Sequence, residues 1–362
     1  KYKGLYCVGC ELFYTSSELN ENGQCFEHPG KKLEEVEEEN YFFKLSQYKD
    51  QLIKLIKAEQ LIIVPNSRKN EVLAFLQEDL QDISISRSNT RAKNWGVEIP
   101  NDNTQRMYVW FDALNIYQSG VGFGTDDKKY QKWWPADVHA IGKGIIRFHA
   151  IYWPAFLLSA GLALPKKLFV HEYITVNGQK MSKTLGNIID PFALINKYGS
   201  EAVRYYFLRY ISPFVDGDFS EEKFQQVYNA DLANGLGNLI ARVAKLCENA
   251  NYVQMGSVDR VSEHFIADSP YTQALHDFKF PDAVAFIWQQ IADLDRYIND
   301  EKPWILAKTD LDRLKSVLAH CVDRIQEIAI LLKPFMPQTA EKILQQFSKP
   351  KIISEKPLFP RI

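Results

Sequence analysis

The chain has 362 residues, 46% of them hydrophobic and 24% charged, which is the composition of a soluble globular protein with two or three domains. Its 43 basic and 45 acidic residues leave a net charge of −2, which excludes a general attraction to nucleic acid, so any such contact needs a local patch. No apolar run approaches the ~20 residues of a transmembrane helix, and residues 1–30 show no signal-peptide pattern. We therefore expect no membrane contact and a cytoplasmic protein, or an organellar one if the source is a eukaryote.

The first hundred residues predict a small domain of mixed structure, spanning 1–104. Residues 1–40 are short apolar pieces broken by turn signals, with an acidic run at 34–39 that is typical of a solvated face. Helical patterns follow at 44–57 and 70–78, and residues 83–87 alternate with the period of a half-buried strand.

From residue 105 onward, strand patterns alternate with helical ones. Strand candidates lie at 107–111, 138–141 and 168–176, and helical patterns follow the first two, at 112–117 and 145–158. This alternation predicts an α/β domain over 105–220, built from parallel strands with crossover helices. Ligands in such a sheet bind beyond the carboxyl ends of the strands.

The last third of the chain reads as helix throughout. The helical patterns are at 221–249, 271–299, 311–332 and 338–347. They predict an α-helical bundle over 221–362.

Four groups near the N-terminus have the spacing of a metal site. Cys7 and Cys10 form one chelating pair, and Cys25 and His28 form a second pair farther along the chain. Two such pairs suit a tetrahedral zinc site, which would be structural because four protein ligands leave no open position. The five cysteines are an odd and uneven set that argues against a disulfide framework.

Two lysines, Lys180 and Lys183, stand on a short segment between Gly178 and Gly186. An ammonium group is a rotatable point charge, so the pair could neutralise charge on the phosphates of a bound nucleotide. Ser182 could add a neutral hydrogen bond. A bare Lys-x-x-Lys is nearly always a solvated turn, so this pattern alone leaves both interpretations open.

Aromatic residues surround one histidine in 108-YVWFDALNIY-117 and 145-IIRFHAIYW-153. Ile145, His149 and Tyr152 or Trp153 fall on one predicted helical face, and Pro154 kinks or ends that helix. The set could enclose a long apolar group with a soft polar atom, since a thioether sulfur gains ~0.3–1.5 kcal/mol per aromatic contact. The pattern alone favours ordinary core packing around a satisfied histidine.

Asn234, Asn238 and Arg242 recur every four residues and predict a stripe of amide and guanidinium groups that could read base edges. Trp304, after a proline, offers an aromatic plane on which an unstacked base could lie. By itself, such a polar stripe is usually a solvated helix face.

Together and in this order, these patterns resemble the methionyl-tRNA synthetases, a class I aminoacyl-tRNA synthetase family, over essentially the whole chain. Lys180-Met181-Ser182-Lys183-Thr184 is similar to the family's KMSKS loop, with threonine in the last place. The cysteine–histidine pairs are similar to a zinc insertion of its connective domain. The resemblance implies the second half of a Rossmann-type catalytic domain with a zinc-binding connective insertion, followed by an all-α anticodon-binding domain.

The resemblance also implies residue roles. The implied methionine-binding residues are Trp110, Ala113, Tyr117, Ile145, His149, Tyr152 and Trp153. The implied ATP-binding residues are Gly142, Lys143, His171, Lys180, Met181 and Lys183, and the implied catalytic residues are Lys180, Ser182 and Lys183. The implied readers of a CAU anticodon are Asn234, Asn238, Arg242 and Trp304.

The implied reaction joins L-methionine to ATP, with Mg²⁺, to give methionyl-adenylate and pyrophosphate, and then passes the methionyl group to tRNA(Met). Lys180 and Lys183 would stabilise the leaving pyrophosphate, so catalysis is positioning and charge stabilisation without a covalent intermediate. One structural Zn²⁺ per chain is implied, and we expect a monomer.

Three departures from the family pattern bear on activity. The family's HIGH signature, which lies upstream of the zinc insertion, does not occur in this sequence. Gly144 stands where an aspartate is usual, and Glu172 replaces an expected glycine near the nucleotide. We therefore expect that this chain alone does not activate methionine, and that Gly144 and Glu172 weaken activity even beside a restored upstream half.

Three alternatives stay open at this point. A non-catalytic tRNA anticodon-binding protein derived from such a synthetase would explain the departures but not the intact loop and pocket. A synthetase for another large apolar amino acid conflicts with the histidine–aromatic pocket. A zinc scaffold without RNA contact leaves Trp304 and the asparagine stripe unexplained.

Overall fold

The strand predicted at 138–141 lies in the first of two compact units, Lys1–His171 and Glu172–Ile362. The single strand predicted at 168–176 is wrong: residues 167–171 form a strand of the first unit and residues 174–176 a separate strand of the second. The structure, a computed structural model, describes residues 2–9, 12–14, 19–25, 28, 30–181, 186–254 and 269–362. The division into three domains at residues 104 and 220 stays a prediction.

The described part of the first unit contains nine short strands before its last two. They are β1 (Tyr2–Cys7), β2 (Leu12–Tyr14), β3 (Glu34–Glu38), β4 (Phe42–Phe43), β5 (Ile62–Val64), β6 (Ile83–Ser84), β7 (Ser86–Ser88), β8 (Glu98–Ile99) and β9 (Asp102–Met107). Strands β10 (His139–Gly142) and β11 (Lys167–His171) follow. Its helices are α1 (Lys49–Lys57), α2 (Asn66–Gln77), α3 (Val109–Ala113), α4 (Ile116–Ser119), α5 (Asp127–Trp133) and α6 (Trp153–Ser159).

The central sheet has the order β10-β11-β5, and all of its pairs are parallel. Leu168 and Val170 on the middle strand are fully buried, and Ile63 and Ile141 on its neighbours are nearly so. Burial on this scale is expected because crossover helices cover the faces of parallel sheets. The strand Ile62–Val64 was missed in the sequence, although its apolar run stands between two predicted helices.

The prediction of a parallel strand at 107–111 is wrong. Strand β9 ends at Met107 and pairs antiparallel with both β7 and β8, and α3 begins at Val109. Residues 108–111 are apolar because they pack as the start of a short helix, a pattern that cannot be told from a buried strand in so short a run.

The acidic run near the N-terminus is an edge strand. Strand β3 pairs antiparallel with β1, which also pairs with β2. Val36 is the buried residue of β3, while Glu34, Glu35 and Glu37 are exposed, so the run does present a solvated face.

The segment from Lys143 to Ser159 is helical but is not one α-helix. It passes from a 3₁₀ turn (Lys143–Ile145) through a π-helix (Phe148–Tyr152) into α6, where Pro154 occupies the first turn. Proline is tolerated there because the first turn of an α-helix needs no N–H partner. Pro154 therefore opens α6 and does not end the predicted helix.

The second unit holds a small sheet and the helices of the C-terminal region. The strands are β12 (Ile174–Val176), β13 (Gln179–Lys180) and β14 (Gly217–Phe219). The helices are α7 (Pro191–Tyr198), α8 (Ser200–Tyr210), α9 (Glu221–Val227), a π-helix (Tyr228–Gly237), α10 (Asn238–Asn249), α11 (Pro270–His276), α12 (Phe280–Glu301), α13 (Pro303–Thr309), α14 (Leu311–Leu332) and α15 (Pro337–Phe347).

The helical bundle predicted for the last third of the chain is confirmed. Helices α12 and α14, each of 22 residues, carry buried residues at helical spacing, such as Ile287, Leu294 and Ile298 on α12. Among the described helices, none combines the length and the apolar composition that a membrane span requires.

Candidate functional site

An imidazole and a phenol form the polar centre of the predicted methionine pocket. The Tyr117 hydroxyl lies 2.8 Å from Nε2 of His149, and His149 Nδ1 lies 2.9 Å from the carbonyl oxygen of Ile145. A carbonyl only accepts, so Nδ1 carries the proton of a neutral ring and Nε2 accepts from the tyrosine. Two residues from distant segments thus hold each other in one orientation.

Burial keeps this histidine neutral. His149 is 1% exposed, and desolvation lowers its pKa, an effect that the hydrogen bond to Ile145 only partly offsets. Burial also raises the pKa of Tyr117, so its hydroxyl keeps its proton near neutral pH. The site is therefore an uncharged polar pair in an apolar wall, which suits an apolar ligand with one weakly polar atom.

Two tryptophans complete the wall around this pair. The Trp110 ring stacks on Phe148 at 4.0 Å and meets the His149 ring edge-on at 6.3 Å. Trp153 lies 6.3 Å from Tyr117 between ring centroids. The structure thus brings together Trp110, Tyr117, Ile145, His149 and Trp153 as predicted.

Two other predicted pocket residues, Ala113 and Tyr152, have different surroundings in the structure. Ala113 is an exposed residue at the end of α3. Tyr152 packs edge-on against Phe148 at 5.4 Å and lines a cavity of about 440 Å³ together with Arg87 and Arg147. The π-helix sends Tyr152 and Trp153 to different surroundings, which the α-helical spacing assumed for the sequence did not anticipate. Their roles as methionine contacts stay predictions.

Sequence reasoning missed several buried polar residues of this unit, and His139 and Arg87 are two of them. His139, the first residue of β10, is 5% exposed, and its ring lies 4.3 Å from that of Tyr117. Desolvation and then the nearby His149 lower the pKa of His139 to about 4. Arg87, 7% exposed, holds its guanidinium 4.3 Å from the Tyr108 ring centroid. The charge of Arg87 inside an alternating strand was the signal that could have revealed it.

Three of the predicted nucleotide-binding residues lie at the carboxyl ends of neighbouring parallel strands. Gly142 ends β10 and is in register with His171, which ends β11 and is exposed. A Cβ on Gly142 would lie 3.5 Å from Cε1 of His171, so the glycine leaves this edge open. Lys143 follows in the 3₁₀ turn. This is the edge of a parallel sheet at which ligands bind.

Two departures from the family pattern, Gly144 and Glu172, come soon after the ends of these two strands in the sequence. Gly144 is exposed in the same 3₁₀ turn, where a side chain could reach solvent. Glu172 is 9% exposed, and its backbone N–H donates to the Pro213 carbonyl at 2.9 Å.

The segment that carries Lys180 and Lys183 follows the turn of a tight hairpin in the second unit. Asn177 and Gly178 both have positive φ, 54° and 70°, and form a two-residue turn between β12 and β13. Asp218 accepts from the Gly178 N–H and the Thr175 hydroxyl, both at 2.8 Å, and these bonds lower the pKa of its carboxyl. The hairpin is thus anchored to β14 immediately before the predicted loop.

Lys180 closes this hairpin with an exposed side chain. Its ammonium lies 4.4 Å from the ring centroid of Tyr173, and its carbonyl oxygen is 3.3 Å from the Asn187 amide. Met181 is half-buried. The predicted residues Ser182 and Lys183 lie outside the described residues.

A thiol–imidazole cluster stands at the predicted metal site. Cys7 Sγ is 3.9 Å from His28 Nδ1, and the ligand atoms of Cys7, Cys25 and His28 all lie within 4.8 Å of one another. A tetrahedral zinc with bonds of about 2.0–2.3 Å holds neighbouring ligand atoms roughly 3.3–3.8 Å apart. These residues therefore fit the ion in donor type, and their donor atoms stand slightly wider apart than a bound ion would hold them. Cys10, the predicted fourth ligand, lies outside the described residues.

A glycine makes room for the imidazole of this cluster. A Cβ on Gly9 would lie 2.7 Å from the His28 ring, so any side chain there would push the ring away. The turn that follows Cys7 therefore packs against the imidazole of His28.

Two of the predicted base-reading residues, Arg242 and Trp304, lie together on the helices of the second unit. Arg242 donates to Asp295 at 2.7 Å and to Asn299 at 2.6 Å, and its guanidinium lies 5.4 Å from the Trp304 ring centroid. Among the residues that the structure describes, two of the five guanidinium N–H groups make these bonds, which leaves three for a ligand. Trp304 is 45% exposed, so part of its ring is open to a ligand.

The asparagines of the predicted stripe are both exposed. Asn238 begins α10, and Asn234 lies in the preceding π-helix. The backbone N–H of Asn238 donates to the carbonyl oxygen of Ala233, five residues earlier. The i, i+4, i+8 spacing was derived for a continuous α-helix, so the π segment changes the angle between Asn234 and Asn238. Asp231, on the same π-helix, accepts from the hydroxyls of Tyr205 and Tyr210 at 2.6 Å each.

Comparison with protein families assigns both parts of the chain. Residues 1–244 match the family described as "tRNA synthetases class I (M)". Residues 267–361 match the family described as "Anticodon-binding domain of tRNA ligase".

Individual relatives agree with these matches. A methionine–tRNA ligase of Thermotoga maritima is 42% identical over 358 residues, which cover 96% of this chain and 56% of that protein. One of Nostoc sp. is also 42% identical, over 95% of this chain and 67% of its own length. The chain thus spans little more than half the length of the first of these relatives.

A solved structure shows the same fold. Mycobacterium tuberculosis methionyl-tRNA synthetase, in complex with methionyl-adenylate, superimposes with a TM-score of 0.87 at 36% identity, over 99% of this chain and 76% of that one. The apo form of that protein superimposes with a TM-score of 0.85 at 34% identity.

Proposed function

The chain belongs to the class I methionyl-tRNA synthetases, and from this premise we propose that it serves an enzyme that activates L-methionine with ATP and transfers it to tRNA(Met). The neutral Tyr117–His149 pair, walled by Trp110 and Trp153, is the observation that carries the choice of amino acid. A thioether presents a polarisable sulfur between apolar groups, and such an uncharged aromatic site is its natural surrounding.

The nucleotide is proposed to bind at the carboxyl edge of the parallel sheet. Gly142 and His171 line this edge, and Lys143 adds a positive charge beside it. Lys180 and Lys183 would neutralise the pyrophosphate that leaves as methionine attacks the α-phosphate, with Mg²⁺ bound to the ATP. The anchored Asn177-Gly178 hairpin supports this role, because it fixes one end of the segment that carries these lysines.

The tRNA is proposed to be selected at its CAU anticodon. Arg242, held by Asp295 and Asn299, keeps N–H donors free for a base edge, and the exposed Trp304 ring offers a stacking plane. Asn234 and Asn238 add exposed amides nearby in sequence.

One structural zinc ion per chain is proposed at the N-terminal cluster. Cys7, Cys25 and His28 would hold it together with Cys10, because thiolate and imidazole donors suit a tetrahedral ion and the three described residues lie close to one another. When bound, the ion would crosslink the β1–β2 turn to the segment of Cys25 and His28. A monomer in the cytoplasm remains our expectation.

The methionine pocket is tested by measuring the affinity of this chain for a non-hydrolysable methionyl-adenylate analogue and for its norleucyl counterpart. We expect the methionyl compound to bind about two- to tenfold more tightly, which is the scale of one sulfur–aromatic contact. Tyr117→Phe keeps the ring but removes the donor to His149, so we expect it to narrow this preference. Calorimetry measures both constants.

The matched control is Tyr130→Phe, which removes a hydroxyl from the same unit but from outside the Tyr117–His149 pair. Equal affinity of this chain for the methionyl and norleucyl analogues would refute the assignment of methionine to this pocket. An unchanged preference in the Tyr117→Phe chain would also refute it.

We further propose that this chain by itself does not activate methionine, because its sequence has no HIGH motif. Gly144 and the buried carboxyl of Glu172 are proposed to weaken activation further. Methionine-dependent ATP–pyrophosphate exchange measures this directly, with anticodon stem-loop binding as the folding control. Measurable exchange would contradict the proposal, while retained binding without exchange agrees with it.

A further inference from the structure

The last residues of the chain lie along the π-helix that carries Asn234. Arg361 Nε donates to Oδ1 of Asn234 at 2.9 Å. The backbone of Ile362 makes two bonds with the Asn229 amide, at 2.8 and 3.1 Å, and Phe359 meets the Tyr228 ring edge-on at 6.0 Å. This segment, residues 358–362, is therefore fixed to the π-helix at several points.

The π-helix explains how one segment can reach both asparagines. Asn229 and Asn234 are five residues apart, which in an α-helix of 3.6 residues per turn places them about 140° apart around the axis. Hydrogen bonds of the π-helix run from i to i+5, so residues with this separation lie close to one another on the same side. The contacts of residues 358–362 with both amides agree with this geometry.

The bond from Arg361 also sets which end of the Asn234 amide faces outward. A guanidinium has donors and no acceptor, so only the amide oxygen can face it. The Nδ2 group must then point away, and it has no hydrogen-bond partner in the part of the chain that the structure describes. Asn234 thus presents its two N–H donors to a ligand, while its oxygen is turned toward Arg361.

We propose that Arg361 is a positioning residue for anticodon reading: it orients the Asn234 amide so that the exposed asparagine selects a base edge with acceptors. The inference rests on the proposed function of the helical unit. In a CAU anticodon, cytosine offers N3 and O2 as adjacent acceptors on its pairing edge. Uracil in its place turns N3 into an N–H donor, which would oppose the Asn234 donors.

The test compares stem-loops with CAU and UAU anticodons, binding to this 362-residue chain. In the Arg361→Gln chain the amide of Asn234 is free to turn, so its oxygen can accept from uracil. We expect the CAU-over-UAU preference to fall by about five- to tenfold, the scale of one unsatisfied hydrogen-bonding group. The affinity for CAU itself should change little.

Two matched variants separate the effect of the Arg361 side chain at its position from the effect of its charge on the CAU-over-UAU preference. Lys356→Gln removes the same charge from an exposed residue two positions before this segment, and it should leave the preference unchanged. Arg361→Lys retains a donor without an acceptor, and it should restore most of the preference. In an Asn234→Ala background, Arg361→Gln should have no further effect on the ratio, because the two residues act through one contact.

Other results overturn the inference. If Arg361→Gln weakens both stem-loops equally and lowers the salt dependence by about one phosphate contact, Arg361 binds backbone and does not position Asn234. An unchanged preference with an unchanged melting temperature also overturns it. If the unaltered chain binds neither stem-loop, the proposed function fails instead.

Discussion

We expect the Arg242→Ala chain to bind a CAU anticodon stem-loop about 10- to 100-fold more weakly than the unaltered chain, the usual scale for a base-reading arginine. Arg242 is half-buried between the carboxylate of Asp295 and the amide of Asn299, with the Trp304 ring beside it. Its side chain is therefore already ordered before RNA arrives, and little conformational entropy is lost on binding.

Truncation has two consequences at this position. It removes the donors that read a base, and it leaves Asp295 as an unpaired negative charge beside the RNA. Trp304 also loses the cation beside its ring. The measurement is a fluorescence-anisotropy titration at fixed salt, since affinities for nucleic acid have no meaning without it.

The control is Lys342→Ala, which removes an equal charge from an exposed position on α15. It should change the affinity much less than Arg242→Ala does. Equal losses in the two variants would show that the RNA responds only to overall charge, and the proposed reading surface would be wrong.

The second large effect concerns the metal. We expect chain purified without chelator to contain about one zinc ion, and the Cys25→Ser chain to contain far less. Cys25 is fully buried, with its sulfur near both Cys7 and His28, so no water can replace the thiolate without opening the cluster. Structural zinc sites contribute binding free energy of about 10–16 kcal/mol in zinc-finger peptides, so loss of a ligand should also loosen the local fold.

Elemental analysis and protease sensitivity of residues 1–40 measure the two parts of this effect. Cys247→Ser is the matched control, because Cys247 is a fully buried thiol in the helical unit. It should retain the zinc even if it lowers stability. A zinc content that is equally low in the unaltered chain would contradict the metal assignment.

The fold class could be predicted from the sequence, and the class I catalytic fold with a helical anticodon-binding domain is confirmed. Helix α14 occupies the predicted 311–332, because its apolar residues repeat over six turns. Short elements were less predictable. Ile62–Val64 has three residues, too few to show any period, and its place is fixed by pairing with β11, a contact distant in sequence.

The π-helices had no recognisable pattern in the sequence. Residues 148–152 and 228–237 read as ordinary α-helix, and only the structure shows i to i+5 bonding there. The consequence falls on the sites, since Tyr152 faces the cavity with Arg87, and Asn234 comes to lie beside Arg361. Side chains whose role depends on such local geometry cannot be placed by helical spacing alone.

His149 and His139 also show that contacts made only by tertiary packing cannot be predicted from the sequence. His149 could be singled out because aromatic residues flank it in sequence, and the structure places it beside Tyr117. His139 stands alone in its strand, and its contact with Tyr117 arises only when the sheet and α4 pack together. The predicted site residues remain predictions of function, although the structure gathers most of the pocket set.

The most direct test of the account is the selectivity of this chain for CAU among stem-loops that differ from it by one anticodon base. We predict that CAU binds at least about tenfold more tightly than each substituted loop, as expected when single bases are read at 1–3 kcal/mol each. Equal binding of all loops, with a salt dependence that accounts for the whole affinity, would contradict the proposal that this chain serves a methionine-specific enzyme.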